Sequence, residues 1–201
     1  MNLINDAWIP ARHQSGKIEK IAPWQITDKY KEDPVIEIVS VRPDFNGALI
    51  QFLIGLLQTT CAPQGNSDWR KWLNEPPTTD ELKKKFKPIE NAFNLYGDGP
   101  RFMQELTLES EEKKTLEDIG GLLIDSPGGN TLKENKDIFI KRDRIKVMCL
   151  PCCAQALLTL QINAPSGGKG HRVGLRGGGP VSTIVTGKSL WQTIWLNTLT
   201  G

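Results

Sequence analysis

The apolar positions of this chain change their spacing at residue 44. Before it they come in short runs. Asn2 to Pro10 reads as a strand, Gln14-Ser15-Gly16 as a turn, and Lys17 to Ile21 as the returning strand of an N-terminal hairpin. Val35 to Val41 alternates apolar with polar residues in its first half and is also strand-like, ending before Pro43. From Asp44 to Cys61 the period becomes helical, with Leu49, Ile50, Phe52, Leu53, Leu56 and Leu57 covering most sides and Asp44 in the N-cap position. This predicts a central packing helix with no chemistry of its own. Gly55 inside it costs about 1 kcal/mol against alanine.

Further on, the pattern predicts shorter elements. Asp68 to Leu73 is a brief helix carrying Trp69 and Trp72, and Pro76-Pro77 breaks the chain. Thr78 and Glu81 have the spacing of a capping box, opening a helix to about Phe86 whose Lys83, Lys84, Lys85 and Lys87 read as a solvated face. Pro88 kinks or ends that helix, Gly97-Asp98-Gly99-Pro100 is a turn, and Glu109 to Leu116 fits a short exposed helix. Gly120 to Asn130 reads as a loop or linker. Asp137 to Arg144 could be an alternating strand or a loop that contacts nucleic acid through Lys141, Arg142 and Arg144 with one aromatic, Phe139. Pro151 to Gln161 is a compact apolar helix, Val181 to Thr186 a β-branched strand, and Leu190 to Leu199 an apolar helix. The fold class is α+β: an early β-hairpin, a central apolar helix, and a glycine-rich loop leading into a strand.

That loop, Ala164 to Pro180 (APSGGKGHRVGLRGGGP), holds seven of the 19 glycines together with Lys169, His171, Arg172 and Arg176. Glycine lets a ligand approach peptide N–H groups, and interleaved cations attract phosphate. The same composition also suits a plain connecting loop between helix and strand.

Charge shifts the balance towards a ligand. The net charge is +2, but residues 1–130 carry 15 Lys and Arg against 20 Asp and Glu, while residues 131–201 carry 10 against 3. An acidic body with a basic edge fits a polyanion partner better than two differently solvated faces. With 38% hydrophobic and 24% charged residues, the chain reads as a soluble globular protein. No apolar run is long enough to span a membrane and no signal peptide opens the chain, so the expected compartment is the cytoplasm. Length allows one domain, with a sub-boundary near 120–131 where glycines cluster and the charge changes sign.

Catalytic motifs are absent. Gly187-Lys188-Ser189 lacks the earlier glycine of a phosphate-binding P-loop, since Ser182 stands there, and Gly170, Gly174 and Gly177 miss the dinucleotide spacing. There is no His-Glu-x-x-His and no Gly-x-Ser-x-Gly elbow. His171 has no carboxylate partner in sequence, which suits a phosphate contact or solvated loop residue better than a general base. Four cysteines are too few for a disulfide scaffold. Cys149-x-x-Cys152 is half a zinc site, and neither Cys61, His13 nor His171 supplies the other half.

Three segments resemble the CasA family, the large subunit of the type I-E CRISPR surveillance complex Cascade. They are Asn2-Leu3-Ile4 with Asp6-x-Trp8-Ile9-Pro10, then Phe102-Met103-Gln104, then Gly174-Leu175-Arg176-Gly177-Gly178-x-Pro180-Val181 followed downstream by Leu196-Asn197. The likeness covers all 201 residues and corresponds to the N-terminal part of a longer chain whose C-terminal helical bundle is absent here. It implies a non-enzymatic subunit that recognises the protospacer-adjacent motif in duplex DNA, aids target opening and recruits the helicase–nuclease, working with guide RNA and the other Cascade subunits. The rival reading is a structural subunit that binds guide RNA and its neighbours without reading the motif. The family's glycine loop, which meets the motif from the minor groove, matches Ser166, Gly167, Gly168 and Lys169, with Gly170, His171 and Arg172 following as further DNA-contact candidates. The family's mobile loop matches about Ile138 to Lys146, with Phe139, Lys141, Arg142 and Arg144 as its contacts. Some members close a zinc site with two Cys-x-x-Cys pairs. Cys149 and Cys152 match the first, which implies no cofactor for these 201 residues and zinc for a longer protein.

Overall fold

The structure, a computed structural model, describes residues 1–105, 118–138, 144–163, 174–175 and 182–201. It divides into two compact units, Met1–Phe102 with Val181–Gly201, and Met103–Pro180. The sub-boundary expected near 120–131 falls inside the second unit.

The first unit is built on an antiparallel sheet of order β2-β1-β3, with β1 Ile9–His13, β2 Ile18–Ile21 and β3 Val35–Ile38. Ile9 pairs with Ile21 and Ala11 with Ile38, so alternate residues of the central strand point into the core. The hairpin turn is as expected, with Gly16 at φ +89. Beside it Asp33 accepts from the Ser15 backbone N–H and hydroxyl, each at 2.8 Å, and these bonds hold its carboxyl below the usual range. Two strand expectations need correction. Asn2–Asp6 is not strand, because the Asn2 carboxamide accepts from the backbone N–H groups of Ile4 and Asn5 and turns the chain. Strand β3 stops at Ile38, because the Ser40 N–H is taken by the Asn46 side chain and the chain leaves the sheet.

Helix α1, Pro43–Cys61, crosses the core. Phe45, Ala48, Leu49, Phe52, Leu53, Leu56 and Leu57 recur at alternating steps of three and one, and all are buried. Phe52 meets Trp8, Phe93 and Phe102 edge to face at 5.6–6.0 Å. The N-cap is Arg42 and not Asp44: Pro43 takes the first helical position, and the Asp44 carboxylate turns back onto the Arg42 guanidinium at 3.0 Å. The capping box is as read. Thr78 opens α3 (Thr79–Phe86) by accepting from Glu81 N–H, while Glu81 accepts from Thr78 N–H at 2.8 Å. The four lysines after it are exposed, and Lys83 also lies 4.8 Å from the centre of the Trp24 ring. Pro88 converts the chain to a 3-10 helix, Lys87–Phe93.

The returning segment ends in α6, Leu190–Leu196, which packs on α1, β3 and α2 (Asn66–Asn74). The expected strand at 181–186 is not formed over the described residues 182–186. Its β-branched backbone finds a side chain instead of a ladder: the Asn197 carboxamide accepts from Val185 N–H at 3.0 Å and donates to Val185 C=O at 2.8 Å. Gly187-Lys188-Ser189 is structural too. Ser189 caps α6 by accepting from Gln192 N–H, and Gly187 N–H donates to Thr193.

In the second unit the glycine-containing stretch is partly ordered as a 3-10 turn, Ile119–Leu122, and a short helix α4, Gly129–Lys133. The uncharged helix α5, Leu150–Asn163, buries Ala154, Gln155, Ala156, Leu158, Thr159 and Ile162 and contacts Ile119–Leu122. The exposed helix expected at Glu109–Leu116 lies outside the described residues.

Two glycines with opposite surroundings give opposite predictions. Nothing lies within 4 Å of an added Cβ on Gly55, whereas on Gly187 it would fall 2.4 Å from Gln192 Cβ. Gly55→Ala should stabilise the chain by about 0.5–1 kcal/mol, and Gly187→Ala should destabilise it by about 1–3 kcal/mol. Thermal unfolding followed by circular dichroism checks both signs.

Candidate nucleic-acid interface and thiol pair

The candidate residues all belong to the second unit, and helix α5 organises them. Residues 131–180 carry nine Lys and Arg against three Asp and Glu, and none of these lies in α5. One basic segment enters the helix and the other leaves it. At 1.5 Å per residue, 14 residues separate those attachment points by about 20 Å.

The segment that enters contributes Arg144, which is exposed. Its companions Phe139, Lys141 and Arg142 lie outside the described residues, as does the choice between strand and loop for most of 137–144. Ile138 and Val147, at the two described edges of this segment, are 68% and 86% exposed, so apolar as well as basic side chains face solvent here.

The segment that leaves is the glycine stretch. Ser166, Gly167, Gly168, Lys169, Gly170, His171 and Arg172 lie outside the described residues. Its base does not. Leu175 N–H donates to the Gln161 carbonyl at 2.7 Å. Gln161 sits in the last turn of α5, where carbonyls lose their helical partners. The bond therefore satisfies an orphan acceptor and ties residue 175 back to the helix. Sequence alone does not reveal this bond; its one local signal is Gly174, a glycine placed just after the stretch with Lys169 and His171.

Cys149 and Cys152 are brought together at the other end of α5. The Cys149 carbonyl accepts from Cys153 N–H at 2.8 Å, which makes Cys149 the residue that caps the helix. Its sulfur accepts from Cys152 N–H at 3.4 Å and lies 2.8 Å from the Cys152 sulfur. That separation is shorter than the about 3.8 Å set by two 2.3 Å Zn–S bonds at a tetrahedral angle, so a zinc ion would have to spread the pair. No group of three or more His, Cys, Asp or Glu suited to a metal occurs among the described residues. The cap role was missed, although Pro151 at the second helical position marks where the helix begins. Cys153 stands apart, its thiol pushed up by partial burial and by the neighbouring Cys149.

Residues outside α5 offer less. His13 is buried and committed to structure, with Nδ1 2.9 Å from the Asp33 carbonyl and Nε2 3.0 Å from Glu19. A cleft of about 410 Å³ beyond the end of α1 is lined by Cys61, Lys71, Trp72, Lys85 and Trp195 among others. Burial pushes the Cys61 thiol up, away from a reactive thiolate.

The sequence profile of CRISPR-associated protein Cse1 matches residues 2–201. The chain belongs to the Cse1, or CasA, family. Solved structures of Cse1 proteins share its fold. Thermobifida fusca Cse1 superposes with a TM-score of 0.76 at 19% identity, over 100% of this chain and 39% of that one. Thermus thermophilus CasA (Cse1) gives 0.69 at 21% over 98% and 39%, and Acidimicrobium ferrooxidans Cse1 gives 0.70 at 15% over 100% and 38%. The chain thus spans about two fifths of the length of these Cse1 proteins. The resemblance read from short segments is borne out over nearly the whole chain, and with it the α+β class. No helix among the described residues is long and apolar enough to cross a membrane.

The tie at the base of the glycine stretch is open to test. Leu175→Pro removes the N–H that makes it. One backbone bond is worth about 1 kcal/mol, or about fivefold in a local opening equilibrium. Trypsin should therefore cut at Lys169, Arg172 and Arg176 about fivefold faster, with the melting temperature of the first unit unchanged.

Proposed function

We propose that this chain acts as part of a non-catalytic subunit of the RNA-guided Cascade complex, and that it recognises the protospacer-adjacent motif in duplex DNA. The observation that carries the reading is the Leu175–Gln161 bond, which ties a stretch rich in glycine and cations to the end of a half-buried, uncharged helix. Bare backbone at Gly167 and Gly168 suits the narrow minor groove, whose A·T and G·C patterns differ, and Lys169 suits a flanking phosphate. Arg172 and His171 extend the cationic edge. Arg144, with Phe139, Lys141 and Arg142, supplies a second contact, to the guide RNA or to DNA beside it, from the other end of α5. Target sequence itself is read by guide pairing, the division of labour known for another RNA-guided effector.

The same reading gives the subunit its remaining partners: the other Cascade subunits and the helicase–nuclease that it recruits once the duplex opens. Its site of action is the cytoplasm. No residue of this nucleic-acid interface is assigned to bond making or breaking. Cys149 and Cys152 are half of a zinc site in a longer protein, where their thiolates would bind the ion and fix the start of α5.

Two substitutions test motif reading in a full-length subunit assembled with its complex. Gly168→Trp should weaken binding to a motif-bearing duplex by about tenfold or more, one misplaced contact being worth about 1–3 kcal/mol. Assembly, followed by size-exclusion chromatography, should be unchanged. Lys169→Ala should lower the slope of log K against log salt by about one. Loss of assembly with motif preference retained would instead support a structural subunit that only binds guide RNA and neighbours. For zinc, metal analysis should find substoichiometric ion on these 201 residues and one ion per chain in a protein carrying a second Cys-x-x-Cys pair.

A further inference from the structure

The thiol pair has a chemistry that needs no metal. We propose that Cys149 and Cys152 are a redox modification site, closing to an intrachain disulfide by exchange with a low-molecular-weight disulfide. The two sulfurs are 2.8 Å apart and must approach by about 0.8 Å to reach disulfide length. Cys149 caps a 14-residue helix and Cys152 lies in its first turn, where the Cys152 N–H already points at the Cys149 sulfur at 3.4 Å. Cys149 is exposed and Cys152 is half-buried, so the first is the attacking thiol and the second the resolving one. The other two cysteines are poor competitors. Cys61 is buried in the first unit, and the Cys153 thiol is directed at the Met148 carbonyl at 3.6 Å.

The exchange balances with a glutathione disulfide as oxidant. The Cys149 thiolate attacks one sulfur, breaking the S–S bond, forming a mixed disulfide and releasing one glutathione thiolate. Cys152 then attacks the Cys149 sulfur, forms the Cys149–Cys152 bond and releases the second glutathione. The protein dithiol loses two electrons and two protons, and two glutathione thiols gain them. The disulfide and a metal-bound pair exclude one another, because an oxidised sulfur has no thiolate to donate. The proposal rests on the thiol geometry alone and stands or falls separately from the motif-reading proposal.

The test uses the reduced 201-residue chain equilibrated across ratios of oxidised to reduced glutathione without zinc, then acid-quenched, alkylated and mapped by mass spectrometry. The expected result is a fall from four free thiols to two, a mass loss of two hydrogens, and a peptide linked through Cys149 and Cys152. Cys152→Ala should instead accumulate the mixed disulfide on Cys149, and Cys153→Ala should leave the transition unchanged. Four thiols persisting at the most oxidising ratio, a mixed disulfide that never resolves in the wild type, or a bridge to Cys153 would each overturn the proposal. If circular dichroism shows that a variant has not folded, mapping of the wild-type chain decides alone.

Discussion

Indole N–H groups bonded to backbone carbonyls hold the first unit closed. Trp191 donates to Trp72 C=O at 2.9 Å, Trp195 to Trp69 C=O at 2.8 Å, and Trp69 to Thr198 C=O at 3.1 Å. Trp72, Trp191 and Trp195 also touch through their rings at 5.1–6.3 Å. Burying two tryptophans to 0–1% exposure contributes about 4–6 kcal/mol each at about 25 cal/mol per Å², and each hydrogen bond about 1 kcal/mol more. Burial thus provides most of the stabilisation, while the bonds fix which carbonyl each ring meets. Without them α6 could slide along α2 at little cost in apolar contact.

This closure matters because the chain leaves the first unit after Phe102 and rejoins it at Val181. A segment of nearly eighty residues is thereby inserted between two stretches that must find each other. The returning stretch does so with very little sheet. Asn197 satisfies both backbone groups of Val185, and Ser189 starts the helix, so a β-branched run that would pair in a sheet elsewhere is held by one carboxamide. Gly187, two residues before Ser189, is needed for close approach to Gln192.

Features set by apolar spacing, caps and turn residues were the most legible in the sequence, and those set by a single side-chain amide the least. The periodicity of α1, the Thr78–Glu81 box, the Gly16 turn and the start of α5 at Pro151 are set by residues within a few positions of one another. Each appears close to where it was expected. Strand limits at Asn2 and Ser40, by contrast, are set by single carboxamides, Asn2 and Asn46, that take backbone bonds a strand would need. The strand expected at 181–186 failed for the same kind of reason, with the competing group twelve residues away at Asn197. At the candidate site, sequence paired Cys149 with Cys152 but gave no sign of the bonds that fix Cys149 and Leu175 to α5. Charge was half informative: the basic run begins near residue 131 as read, yet it lies inside the second unit and does not mark its edge.

The tie between Leu175 and Gln161 has a consequence for how the site could diversify. A segment whose two ends are already joined gives up less conformational entropy when a ligand orders it. Eleven residues, 164–174, lie between the end of α5 and Leu175. Doubling that number would raise the closure cost by only about 0.6 kcal/mol. Insertions, deletions and exchanges there can be absorbed without moving α5 or its buried face. Change in the glycine stretch is thereby separated from the stability of the helix that carries it, so its length and side chains can vary while its support stays the same.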